Sequence, residues 1–358
     1  MELKFYRGKT VLVTGDTGFK GSWLSLWLLS LGARVIGYAL PPKKGEHFEA
    51  CGLARKMEHF DGDIRDARML DKIMRKAKPD MAFHLAAQPL VLESYTYPVE
   101  TFEVNVMGTA HFLDSVRACK STKAAVVITT DKVYENQERG VAFKESDPLG
   151  GHDPYSASKA AAEIVTQSYS RSFFAEKTGP AIASARAGNV IGGGDFARYR
   201  IVPDCIRALR TGNPIEVRNP HSVRPWQHVL EPLYGYLLLG ASLSAHGHDF
   251  SGPWNFGSGS AQSRTVEELV NELAAVWGKG AVKILRPEKP GPKEAKYLHL
   301  NSVKATRTLG WKRIFTFREA VKNTIDEYKI MEHAGPEELF LDRIGRIKSF
   351  ENKISGKK

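Results

Sequence analysis

The chain has 358 residues, 42% hydrophobic and 25% charged, a balance that excludes a disordered or collagen-like protein and leaves room for one large or two intimate domains. Its net charge of +11 is spread along the sequence without a long basic block or a recognition motif, so an anionic, phosphate-bearing small molecule is the expected partner and nucleic acid is not. No apolar run approaches the roughly 18 residues of a membrane span, so no membrane partner is expected; Cys51, Cys119 and Cys205 are too scattered for a disulfide framework or a zinc site, so no metal is expected either.

MELKFYRGKTVLVTG enters a strand directly, without the stretches of a secretory leader, which makes the cytoplasm the expected address. Short β-branched runs then alternate with helical patterns: TVLVTG, SWLSLWLLSLG, RVIGYAL, RDARMLDKIMRKAK and MAFHLAA, followed by NVMGTAHFLDSVRACK, AAVVITT, SASKAAAEIVTQSYSRSFF and PAIASARAG. This rhythm predicts an α/β fold, a Rossmann-type doubly wound parallel sheet with helices on both faces. From about Gly192 the rhythm breaks into glycine, proline and polar loop residues, with helical patterns at IVPDCIRALRTG and TVEELVNELAAVWG. That half predicts a smaller C-terminal substrate-binding lobe. Residues 1–189, rejoined by about 224–258, are assigned to a dinucleotide-binding domain, and 190–223 with 259–335 to the lobe. Residues 336–358 form a basic tail, read as a solvated helix with a frayed end.

TGDTGFKG, Thr14 to Gly21, lies between the first strand and the first helix. Gly15, Gly18 and Gly21 allow a tight turn and let backbone N–H groups approach a pyrophosphate, with Thr17, Phe19 and Lys20 in the same loop. By spacing alone a strand-to-helix turn with incidental glycines is an equal explanation; position in the first βαβ unit favours a dinucleotide. The second strand ends GYALPPKK, with Tyr38 and Ala39 where an acidic residue would hold the adenosine ribose and Lys43 and Lys44 beyond. Weak NAD binding and tolerance of a 2′-phosphate both stay open. Further cofactor contacts are expected from Asp63 and Ile64 of DGDIRD and from Leu85, Ala86, Ala87 and Gln88 of HLAAQ. Each is equally an ordinary turn or core residue, and Asp63 can instead cap the helix beginning near Arg65.

Tyr155 and Lys159 of PYSASK stand four residues apart on one helix face. An ammonium beside a phenol lowers the phenol pKa from about 10 and creates a base for a hydroxyl proton. A lone YxxxK is commonly a surface pair, but here it follows the glycine loop, HLAA and a threonine-rich strand end in order, and the pair can also hold a nicotinamide ribose. TTDKVYEN sets Asp131 beside Lys132, which taken alone is a plain ion pair at a strand end.

TGDTGFKG, HLAAQ, YSASK and RAGNVIG resemble the extended short-chain dehydrogenase/reductase (NAD-dependent epimerase/dehydratase) family that works on nucleotide sugars, over nearly the whole chain to about residue 330. AAQPLV, TTDKVYEN, DPLGGHDPYSASKA, RAGNVIGGGDF and RPWQHVLEPL are similar to its CDP-D-glucose 4,6-dehydratase branch, where aspartate is followed by lysine and not glutamate. The resemblance implies a hydro-lyase using bound NAD for internal redox dehydration of CDP-D-glucose, in deoxysugar synthesis for bacterial surface polysaccharide. It implies Tyr155 as base at the 4-hydroxyl, Thr130 bonded to that hydroxyl, Asp131 as acid at the 6-hydroxyl and Lys132 as base at C5, with Lys159 supporting Tyr155 and the ribose. Lys132 must then act as a free amine and Asp131 as a carboxylic acid.

For the substrate, the resemblance implies Asn189 near the diphosphate, Arg224 on a phosphate, and Gln88 and Glu135 lining the hexose pocket. Arg218, Arg186 and His228 are further candidates, each with a surface or core-polar role as its alternative, and Trp226 and Trp254 can stack on a base or pack in the core. Leu92 stands where a basic residue is expected. Relatives pair through two helices per subunit, here NVMGTAHFLDSVRAC and SASKAAAEIVTQSYSRSFF, so a homodimer or dimer of dimers is expected. A nucleotide-sugar 4-epimerase, a dehydratase for another nucleotide and a cofactor-sensing binding protein are the alternatives; the first needs no acid at a 6-hydroxyl, the second is set aside on the resemblance alone, and the third would be expected to lack Tyr155 or Lys159.

Overall fold

Five short runs of mostly buried residues and one half-buried edge run, β3, form strands β1 (Thr10–Thr14), β2 (Arg34–Ala39), β3 (Glu58–Asp61), β4 (Met81–His84), β5 (Ala124–Ile128) and β6 (Ala181–Arg186). With the strand Gly252–Asn255 they make a seven-stranded parallel sheet in the order 252–255, β6, β5, β4, β1, β2, β3. The computed structural model describes residues 2–138, 140–175, 179–217, 219–257, 259, 263–278 and 297–356. Arg218 lies outside these described residues.

Alternation along β1 feeds two cores: Val11 and Val13 point into one, Leu12 into the other. The helix Phe19–Ser30 fills the first with Trp23, Leu24, Leu26, Trp27 and Leu28. Leu70, Ile73 and Met74 of Ala67–Ala77, with Phe112, Leu113 and Val116 of Gly108–Ala118, fill the second. Because both faces are covered, β4, β5 and β6 are buried throughout. The chain steps outward from β1 to β3 and then returns to lay β4 on the other side of β1, so the C-terminal ends of β1 and β4 flank a topological switch point, where such sheets bind ligands.

The second half holds more helix than its periodicity reveals. Leu230–His246 is buried on nearly every side, so it lacks the apolar stripe by which a surface helix is recognised. The reading of 336–358 as a solvated, frayed tail is corrected. Pro336–Ile354 is a docked helix whose Leu339, Arg343, Ile347 and Phe350 are buried along one face. Phe350 meets Trp27 edge-on at 5.6 Å, and Trp27 Nε1 donates to Glu351 at 2.7 Å. Arg343, fully buried, donates to His47 Nε2 at 3.1 Å and to the Glu327 carbonyl at 2.9 Å. The many charges of the segment conceal that stripe. No helix among the described residues is long and apolar enough to cross a membrane.

Candidate active site

The turn after β1 requires its glycines for steric reasons. Gly15 has φ +76°, and a Cβ there would lie 2.6 Å from the Ala86 nitrogen; at Gly21 a Cβ would lie 2.0 Å from the Gly15 carbonyl oxygen. Gly18 begins the helix Phe19–Ser30 with no side-chain cap, leaving a turn of bare backbone at a helix N-terminus. Leu85 and Ala86 run beside it, the Leu85 N–H donating to the Thr14 carbonyl at 3.0 Å, with Ala87 half-buried next in line. Thr17 Oγ1 donates to the Leu40 carbonyl at 3.1 Å, which brings the end of β2 against the turn. Asp63 grips Arg65 at 2.7 Å, and the helix Ala67–Ala77 is capped instead by Asp66, which accepts from the Met69 N–H at 3.0 Å. Ile64 is buried against Gly108.

At the end of β5, Thr130 opens the short turn Asp131–Val133 and its hydroxyl donates to Asp131 Oδ1 at 3.0 Å. Asn189, in the left-handed region at φ +52°, donates from Nδ2 to Asp131 Oδ2 at 3.2 Å. A Cβ on Gly188 would sit 1.8 Å from that oxygen, so glycine there makes room for the carboxylate. The helix Pro154–Ser172 starts at Pro154 and is capped by Asp153, whose carboxylate accepts from the Ser156 N–H at 2.9 Å. It delivers Tyr155 and Lys159 from one face, both buried, with Lys159 Nζ donating to the Ile128 carbonyl at 3.0 Å.

The expected lowering of the Tyr155 pKa is corrected. Burial raises the phenol to about 12, against a hydrogen bond from Thr130 and the charge of Arg200, which lower it. Burial brings Lys159 down to about 8, opposed by the carboxylate of Glu163. Lys20 is also brought down to about 8, by burial and then by the charges of Arg200 and Lys159, against Asp131 and Asp195. Lys20 lines the same cleft as Arg200, which pairs with Asp195 at 2.9 Å. Sequence reasoning missed Asp195 and Arg200, which carry no diagnostic spacing; the density of glycine in GGGDF was the available signal.

Phe19, Lys20, Thr130, Asp131, Lys132, Tyr155, Asn189, Arg200, Arg224 and Trp226 line one cleft of about 390 Å³. Arg224 is buried there, in register with Arg264 of the strand Ser263–Thr265. Leu92 also lines the cleft, with an apolar side chain in place of the expected cation. Gln88 and Glu135 are not among its lining residues. The Gln88 side chain is bonded to the Leu90 backbone and to Thr101 Oγ1, and Glu135 is exposed. Arg186 and His228 are core-polar, paired with Glu163 at 2.8 Å and Glu327 at 3.1 Å. Trp254 is buried under Lys304 Nζ, which lies 3.9 Å from its ring centre.

Residues 12–324 match the family model described as GDP-mannose 4,6 dehydratase. The chain is 48% identical over 316 residues to CDP-glucose 4,6-dehydratase of Salmonella typhimurium, covering 87% of this chain and 88% of that protein. Among solved structures it is similar to UDP-glucose 4-epimerase of Thermus thermophilus in complex with NAD, with a TM-score of 0.76, 26% identity and coverage of 89% and 99%. A likeness of fold extends to dTDP-glucose 4,6-dehydratase of Bacillus anthracis in complex with NAD, with a TM-score of 0.75, 20% identity and coverage of 90% and 97%.

Proposed function

The chain belongs to the GDP-mannose 4,6 dehydratase family, and from its 48% identity to a CDP-glucose 4,6-dehydratase we propose that it converts CDP-D-glucose to CDP-4-dehydro-6-deoxy-D-glucose and water. It is a nucleotide-sugar hydro-lyase that uses NAD. The observation that carries the finer reading is the convergence of Asp131, Lys132 and Tyr155 on one cleft. The residues present fit NAD, since Gly15 and Gly21 let the turn pack backbone against backbone and it ends at a helix N-terminus with no side-chain cap, the arrangement that receives a pyrophosphate. NAD held in this turn would supply a hydride acceptor for C4 of the glucose and, once reduced, a hydride donor for C6.

Tyr155 accepts the proton of the 4-hydroxyl; burial favours its protonated form, so this role needs a positive charge beside the phenol, from Lys159 or a cationic nicotinamide. Thr130 steadies that hydroxyl, and Lys159 supports the phenolate and the cofactor ribose. The resulting 4-ketone acidifies the C5 hydrogen, which Lys132 removes as a free amine; once water has left, the Lys132 ammonium returns a proton to C5 as hydride is delivered to C6. Asp131, oriented by Thr130 and Asn189, gives its proton to the departing 6-hydroxyl. Arg224 suits the diphosphate, because its planar fork matches phosphate oxygens. Asn189, expected at the diphosphate, is better suited by its bond to Asp131 to holding the acid. A 4-epimerase has no use for an acid at the 6-hydroxyl, and this argues against that reading.

The same proposal includes a homodimer, or a dimer of dimers. Tyr95, Val99, Phe102 and Met107, together with Ile164 on Pro154–Ser172, are large apolar side chains left exposed on neighbouring helices. The function is tested by incubating the protein with CDP-D-glucose and NAD⁺ and weighing the sugar by mass spectrometry. A product lighter by one water without net accumulation of reduced cofactor supports it. Unchanged mass rejects this substrate, and altered configuration at constant mass indicates an epimerase.

A further inference from the structure

Ala39 ends β2 where a dinucleotide-binding sheet commonly presents a carboxylate to the adenosine ribose. The neighbouring strand carries acid instead. Register sets His59 beside Gly37 and Asp61 beside Ala39, so all four lie on one face of the sheet. On that face Asp16 of the glycine turn lies over Gly37, where a Cβ would be 2.0 Å from Asp16 Oδ2. His59 joins the two carboxylates, with Nδ1 2.7 Å from Asp16 Oδ2 and Nε2 3.0 Å from Asp61 Oδ1. Asp16 is fully buried, and its Oδ1 has no hydrogen-bond partner. An unsatisfied buried acceptor is costly, and its persistence at the foot of a binding turn points to a ligand.

We propose that Asp61, held by His59 against Asp16, reads the adenosine ribose and makes this chain select NAD over NADP, supplying from β3 the carboxylate that β2 lacks. The inference rests on NAD being the cofactor. Two ribose hydroxyls are donors for a carboxylate, whereas a 2′-phosphate brings two further negative charges against Asp61 and Asp16. Lys43 and Lys44, which left phosphate tolerance open in the sequence, are exposed on the loop beyond β2.

Calorimetric titration of the full chain with NAD⁺ and with NADP⁺ tests the assignment without reference to turnover. The wild type is expected to bind NAD⁺ more tightly. Asp61→Asn is expected to lose about tenfold or more of that preference, the worth of a hydrogen bond to a charged group, and Asp61→Arg to reverse it. The Asp61 side chain is 60% exposed, so neither change threatens the fold, and thermal melting checks this. An unchanged ratio in both variants, with NAD⁺ still bound, overturns the assignment alone. A wild type that binds neither dinucleotide overturns the cofactor reading and this inference with it.

Discussion

Glu163→Ala removes a carboxylate that ties three elements together behind the catalytic helix. Glu163 accepts from Thr129 Oγ1 at 2.5 Å, Ser184 Oγ at 2.6 Å, and Arg186 Nε and Nη2 at 3.0 and 2.8 Å. Burial alone would push its carboxyl up, but Arg186 and the two hydroxyls more than reverse that and hold it below the usual range. Both members of the ion pair are fully buried, so the variant leaves a guanidinium without its counter-charge, at a cost of about 3–5 kcal/mol. An unfolding entropy of roughly 2.1 cal/mol/K per residue amounts to about 0.75 kcal/mol/K for a chain of this length, so Tm should fall by about 4–7 °C. Differential scanning calorimetry measures the shift. The double variant Glu163→Met/Arg186→Met, which buries no charge, should lose less than Glu163→Ala. A single variant melting within about 1 °C of the wild type, or a double variant worse than the single, would refute the reasoning.

Gly188→Ala should lower kcat by about a hundredfold, because the added methyl must displace the Asp131 carboxylate; wild-type turnover would rule out that crowding. Burial lowers the His59 pKa, but hydrogen bonds and charge from Asp16 and Asp61 outweigh it and hold the ring above its ordinary value of about 6.5. The folded state therefore binds more protons than the unfolded state above that pH, and the contribution of His59 to stability, complete below it, is lost as pH rises through the raised pKa. Melting curves across that window should show the decline, and His59→Asn should flatten it; an equal slope in both proteins contradicts the pairing. Ile164→Glu puts a charge into the exposed apolar face, so light scattering should find single chains where the wild type is dimeric, and an unchanged mass would move the interface elsewhere.

Much of the architecture follows from patterns that act over a few residues. The short β-branched run of TVLVTG, the helical period of RDARMLDKIMRKAK and the glycines of TGDTGFKG are local, and each becomes the element that its pattern implies. The order of motifs along the chain likewise marks which strand ends meet at the switch point. Where burial removes the pattern, sequence reading fails. Leu230–His246 has no polar face to contrast with an apolar one, and the charges of Pro336–Ile354 outnumber the stripe that docks it on Trp27.

The amino-acid sequence by itself determined the alternating α/β plan, the glycine turn and the pairing of Tyr155 with Lys159 one helical turn apart, because these depend on steric and periodic rules between near neighbours. Tertiary structure decided which groups meet: Lys20 with Arg200 in one cleft, Asp131 with Gly188 and Asn189, Asp16 with His59. It also reversed the direction of the Tyr155 shift, since the desolvation of a phenol depends on everything packed around it and not on the lysine four residues along the helix.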